Sequence, residues 1–315
     1  MLLCRLHRMN KPRVRCDKWL LASCCALAGF SVYQLTVLEN DLSDAKDRVL
    51  KAAQFQVMTY LTSNLPQQVR QWYSYLPEEV EILNDLEQND DSLIAHIRKR
   101  VLVAPPEPNV PYTLHRQGKP SNSTLVKTLL KVFQNKSRGY FVESRALDGE
   151  DASVTLELEK EKRWEGLLIE PDPSNFQKLL ATNRKSWLAP TCLSQNSQPL
   201  LTKIAVSGVK RGQASVDVHC LPLMALLSAA NRTVIDLLRL DLNGDELGVL
   251  QSITFDSTFI AAISVKFAHS RTRKETLREF VEKQGYVLFK TNSTVDLWAA
   301  EDYLFVKEES GLPRL

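Results

Sequence analysis

The stretch from Tyr140 to Asp172, YFVESRALDGEDASVTLELEKEKRWEGLLIEPD, contains the residues best placed to do chemistry. One acid, Glu143, ends a short apolar strand, and a second, Glu170, ends another; Asp148-Gly149 between them supplies turn chemistry. In an open α/β sheet such strand ends face the ligand crevice, and an acid after the second strand accepts hydrogen bonds from a nucleoside ribose. The chemistry on offer is therefore nucleoside binding. His7, His96, His115, His219 and His269 are scattered without metal-ligand spacing, so no metal is expected, and only His269, after a strand end, has a place near the crevice. No GxSxG elbow, P-loop or HExxH is present.

The elements that must position these acids follow from hydrophobic pattern and punctuation. A strand at 140–143 precedes a helix from about Glu150 to Lys162, whose charged run Glu157 to Arg163 reads as a solvated face. Strand 167–169 follows, then a helix from Ser174 to Arg184 with proline in its first turn. Further strands are expected at 187–193, 201–206, 215–219, 234–241, 261–267, 286–290 and 297–306, with helices at 223–230, from Asp245, and at 274–284. Strands separated by helices imply a parallel sheet, and two closing strands imply an antiparallel edge hairpin. The fold class is α/β, a Rossmann-like sheet of about seven strands.

The 315 residues are 44% apolar and 24% charged, which is ordinary for a folded chain, and a net charge of +3 excludes nucleic acid as the expected partner. Residues 1–18 are basic, and 19–38 carry no charge over about 30 Å of helix, long enough to span a bilayer. Acids follow at Glu39, Asp41 and Asp44, so the pattern predicts a type II signal anchor with a cytosolic tail. The alternative is a signal peptide cleaved at Ala26-Leu27-Ala28. Residues 39–103 read as a helical stalk, 104–121 as a proline-rich linker, 122–308 as the lumenal domain and 309–315 as a tail. Beyond the span, Cys192 and Cys220 are either a disulfide or two buried thiols. Asn122, Asn135, Asn231 and Asn292 lie in N-glycosylation sequons.

The strings FVESRALDGE, WEGLLIEPDPSNFQKLLATNRKSW, LDLNGDELGVL and LWAAEDYLFVK together resemble the FkbM-type methyltransferase domain, which has the class I S-adenosylmethionine-dependent fold. With DSLIAHIRKRVLVAPP ahead of them and a single span, the chain is similar to the Star-like proteins of arthropods. That resemblance implies a type II protein of endoplasmic reticulum and Golgi membranes. Such proteins assist export of membrane-bound precursors of epidermal growth factor receptor ligands. It further implies that Glu143 closes strand one, Gly149 is the later loop glycine, Glu170 is the ribose acid, and Asp241 with Glu246 forms the acidic turn after strand four. In an active enzyme Asp241 or Glu246 would be the base.

Three positions depart from the family pattern: Arg145 replaces a glycine, Asn243 a glutamate, and Lys266 an acid. A guanidinium within about 4 Å of the cofactor's sulfonium would cost about 4 kcal/mol at an effective dielectric of about 20. Pairing of Arg145 with Glu143 or Asp148 would lessen that penalty. The expectation is a degenerate cofactor site with no bound cofactor, S-adenosylmethionine being the ligand if the domain is active. A surface Arg145 in a shifted register and an anion-binding pocket are the alternatives.

Overall fold

The computed structural model describes residues 71–73, 77–115, 123–151, 153–207, 215–242, 244–267, 273–289 and 302–313, with isolated helical positions between Thr36 and Lys46. The chain divides into residues 1–56 and 57–315, and the second unit holds everything below. Most of the expected span at 19–38 lies outside the described residues, as do Asn122, Asn243, His269 and Asn292. Among the described residues no helix is long and apolar enough to cross a membrane.

The chain begins with α1 (Pro77–Asn84) and α2 (Asp91–His96, continued by a π turn over Ile97–Val101), then α3 (Thr124–Val132). The next elements are β1 (Tyr140–Ser144), α4 (Leu156–Lys162), β2 (Glu165–Ile169), α5 (Pro173–Ala181), β3 (Trp187–Ala189) and β4 (Cys192–Leu193). After them run β5 (Leu200–Ala205), β6 (Ser215–Leu221), α6 (Leu223–Ala229), β7 (Val234–Leu240) and α7 (Glu246–Ser252). The chain closes with β8 (Phe259–Lys266), α8 (Lys274–Lys283), β9 (Tyr286–Leu288) and β10 (Asp302–Lys307).

The seven-stranded sheet has the order β3-β2-β1-β7-β8-β10-β9, parallel except for β10, which runs antiparallel to both neighbours. Strand order reverses between β1 and β7, and a crevice opens beyond the carboxyl ends of those strands. The strands are nearly continuous apolar runs because helices cover both faces. Tyr140 and Val142 of β1 join one core layer with α2, α6, α7 and α8; Phe141 joins the other with α3, α4 and α5. The Phe141 ring lies on Gly166, where a Cβ would come within 2.2 Å of it.

The expected strand at 187–193 divides in two. Pro190 has no N–H to donate to a ladder, so Trp187–Ala189 pairs with β2 while Cys192–Leu193 joins a second sheet of order β4-β6-β5. There Cys192 and Cys220 stand in register and form a disulfide.

The end of the segment read above as a stalk packs onto the domain. Leu93 and Ile97 are fully buried in the core layer of α6, and Arg98 donates to the carbonyls of Ala229 (3.0 Å) and Ser228 (3.2 Å), satisfying the C-terminus of that helix. Val103 then exchanges hydrogen bonds with Leu188 at the sheet edge. The proline-rich segment offers carbonyls rather than N–H groups, and Lys185 binds those of Glu107 and Val110. Thr113 N–H donates to Thr182 O at 2.9 Å. The folded unit therefore starts ahead of residue 122 and includes α2.

The helix expected from Glu150 begins at Leu156, because Ser153, Val154 and Thr155 satisfy the buried carboxylate of Glu143 instead. Glu157 and Glu159, read above as solvated, are 5% and 3% exposed. Arg184, equally buried, pairs through Nε with Glu159 Oε2 at 3.1 Å and donates to Gly149 O, Ser153 Oγ and Thr155 Oγ1. Glu159 also accepts from Lys185 N–H (2.7 Å) and Ser186 Oγ (2.6 Å). Removing one partner of such a pair leaves an uncompensated charge, so Arg184→Ala is expected to lower unfolding free energy by about 3–5 kcal/mol in a denaturant titration. A loss below about 1 kcal/mol would contradict this reading.

Candidate functional site

The crevice at the strand reversal is a cavity of ≈ 430 Å³. Ser144 and Arg145 enter it from the end of β1, Glu170 and Asp172 from the end of β2, and Asp241 from the end of β7. Lys203 and Ser207, from β5 and the loop after it, wall the opposite side.

Its wall at Arg145 and Asp241 carries an ion cluster. Arg145 Nη1 lies 3.1 Å from Asp241 Oδ1, and Lys266 Nζ lies 3.3 Å from Asp241 Oδ2. Ser144 Oγ donates to Arg239 O (3.1 Å) and accepts from Asp241 N–H (3.0 Å), which fixes the backbone of the acid across the β1–β7 junction. Arg145 and Leu147 both have φ of 53°, and Gly149 has φ of 74°. The loop thus keeps a left-handed backbone at two non-glycine positions, a conformation costing about 1–2 kcal/mol each.

Glu170 points its carboxylate at backbone: Oε2 accepts from Leu147 N–H (2.7 Å) and Oε1 from Asp172 N–H (3.0 Å). Burial pushes its carboxyl up to about 7, against these two N–H donors and Arg145, which favour the charged form. Asp172 caps α5 through Ser174 and Asn175 N–H and receives Ser207 N–H at 2.6 Å, drawing the small sheet over the crevice. Lys203 is held by Asp217 at 2.7 Å.

The other expected site residues serve the fold. Glu143 accepts from Ser153 Oγ (2.7 Å), Val154 N–H (2.8 Å) and Thr155 Oγ1 (2.5 Å) and does not line the crevice. Asp148 accepts from Glu150 and Asp151 N–H, shaping its turn. A Cβ on Gly149 would lie 2.3 Å from Leu179 Cδ1, so that glycine is required by packing rather than by a ligand. Glu246 is 1% exposed; its Oε1 accepts from Leu242 (2.9 Å) and Gly244 (3.2 Å) N–H, and it too is absent from the crevice wall. Asn135 and Asn231 are exposed. Among the described residues no group of His, Cys, Asp and Glu is arranged to hold a metal.

Residues 132–288, from the end of α3 through β9, match the family described as the methyltransferase FkbM domain. The chain carries an FkbM-type methyltransferase domain. Among solved structures, it is similar to the methyltransferase FkbM of Methylobacillus flagellatus KT at 16% identity and a TM-score of 0.37, over 53% of this chain and 43% of that one. A TehB-like SAM-dependent methyltransferase of Corynebacterium glutamicum matches at 12% identity and a TM-score of 0.34, over 60% and 90% of the two chains. An RNA methyltransferase of Salinibacter ruber, in complex with S-adenosyl-L-homocysteine, matches at 13% identity and a TM-score of 0.28, over 61% and 95%. This chain spans less than half the length of the first of these. Among curated proteins none matches.

The FkbM fold implies S-adenosylmethionine, and the residues present do not fit it. Arg145 brings a side chain and a positive charge into the space that a glycine would leave for a cationic ligand. It pairs with Asp241 rather than with Glu143, whose two oxygens are already occupied, or with Asp148, whose Oδ1 shapes its own turn. Glu170, the ribose acid of the resemblance, already holds the loop. Sequence reasoning missed Ser144, Asp172 and Ser207; Ser144 follows Glu143 directly, and only the pairing of β1 with β7 shows its use.

Glu170 provides a pH test. Its folded value lies above its unfolded value of 4.5, so the stability it contributes is present below that value and is lost as pH rises through about 7. The unfolding free energy of the wild type relative to Glu170→Gln is expected to fall on the order of 3 kcal/mol between those limits. A pH-independent difference between the two proteins would contradict the assignment.

Proposed function

We propose that this chain is a non-catalytic FkbM-type protein of the secretory pathway. In this reading residues 19–38 anchor it in endoplasmic reticulum or Golgi membrane, and its domain assists export of membrane-bound growth-factor precursors. The observation that carries the non-catalytic part is Arg145, seated in the crevice and paired with Asp241 opposite Lys266. Arg145 there repels a sulfonium, and together with Lys266 it occupies the carboxylate that an acceptor hydroxyl would need as base. Support for the anchor comes from the basic tail followed by an uncharged run, and for the cargo from the sequence resemblance to Star-like proteins.

An active S-adenosylmethionine-dependent O-methyltransferase is the second reading. The crevice volume of ≈ 430 Å³ favours it, being sufficient for a small-molecule site. Against it stand Glu246, turned onto backbone N–H groups, and Asp241, held by both cations.

Cells expressing a membrane-bound growth-factor precursor test the export role. With the chain present, crosslinking in secretory membranes is expected to recover the precursor with it, and the precursor's glycans are expected to mature to Golgi forms. Without the chain the precursor is expected to keep endoplasmic reticulum glycans. Equal maturation in both cell lines, with no crosslinked precursor, would overturn the proposal.

A further inference from the structure

We propose that a groove at the end of the sheet opposite the crevice binds a neutral saccharide. It measures ≈ 680 Å³ and runs between the β4–β5 loop, the end of α7 with its turn into β8, and the end of α8. Because α7 and α8 return along the sheet from the crevice, their C-terminal ends lie by the amino ends of the parallel strands. No described residue lines both cavities.

The lining has an unusual composition. Five carboxamides face it, from Gln88, Gln195, Asn196, Gln251 and Gln284, together with the rings of Phe255 and Phe280. Among the described residues that line it, Asp256 is the one ionisable residue and there is no cation. A carboxamide presents a donor and an acceptor side by side, which matches a pair of sugar hydroxyls that each donate and accept. A phenyl face covers the apolar C–H face of a pyranose. Phosphates, carboxylates and nucleic acids would find no positive partner here, and a purely apolar ligand would strip the amides of water without replacing their hydrogen bonds.

Two local features indicate a site rather than a polar surface. Gln88 Oε1 is buried at the groove wall and accepts no hydrogen bond from any described residue, an unmet acceptor that a turn of its side chain would offer to a hydroxyl donor. Gly248 lies in α7 beneath Gln195, and a Cβ there would come within 2.8 Å of Gln195 Cβ and 3.2 Å of its Cγ. The missing side chain lets Gln195 lie on the helix at the wall of the groove. Phe255 is steadied by the edge of Tyr286, with ring centroids 6.1 Å apart.

Saturation-transfer NMR and calorimetry on the purified full-length chain test the site, with an oligomannose glycan and maltotetraose as neutral probes and sialyllactose as an anionic one. A glycoprotein carrying the oligomannose glycan, before and after enzymatic deglycosylation, separates recognition of sugar from recognition of peptide. At least one neutral probe is expected to bind and sialyllactose to bind more weakly. Gln195→Ala and Gln251→Ala are each expected to weaken binding about tenfold. Gly248→Ala, which favours the helix, is expected to do the same by displacing Gln195. Absence of binding by every neutral probe, capture of the deglycosylated protein as well as the glycosylated one, or unchanged affinity in all three folded variants would overturn the proposal.

Discussion

The carboxylate of Glu143 is buried at the end of β1, and the loop that follows is built around satisfying it. A carboxylate taken out of water is tolerated only when its oxygens are hydrogen-bonded. Ser153, Val154 and Thr155 supply those bonds, which draws these three residues inward. The same two hydroxyls accept from Arg184, and Arg184 in turn requires Glu159. One acid thus delays the start of α4, buries an ion pair beneath it and ties β1 to the chain after α5. At the other end of the loop Glu170 holds Leu147 N–H. With both ends pinned, Arg145 is presented to the crevice, and Asp241 is the acid it meets.

A site for a cationic ligand would keep its acids free and its first loop small. Here Glu143, Glu170 and Asp241 remain as acids, and each has a partner from the protein itself. The backbone of the loop retains the left-handed turns that glycine adopts most readily, although arginine and leucine occupy two of them. The loop thus combines left-handed turns with a guanidinium paired to the acid across it. That combination is what a domain kept as a scaffold would show, since the shape is maintained by burial while the charge pattern is maintained only by use.

Much of the fold was legible because parallel strands announce themselves as apolar runs between amphipathic helices. The strand expected at 215–219 and the helix expected at 223–230 match β6 and α6 closely. Less legible was anything set by contacts distant in sequence. Glu157 and Glu159 sit in a charged run, and no local signal says that Arg184, far along the chain, will bury one of them. Pro190 was the available clue that 187–193 serves two sheets. The acids at strand ends were located correctly on the chain, yet their roles depended on which N–H groups the folded loop turned toward them. Likewise Arg145 was visible as a departure, but its partner lies 96 residues away across the sheet reversal.

The non-catalytic reading requires that the charge of Arg145 exclude S-adenosylmethionine from the crevice of this FkbM-type domain. Calorimetric titration of the cofactor into the purified chain, compared with the same titration into Arg145→Gly, measures it directly. No detectable binding by the wild type is expected, with a gain of affinity in the variant, up to about a thousandfold if the full like-charge repulsion is relieved. Micromolar binding by the wild type, equal to that of Arg145→Gly, would contradict it.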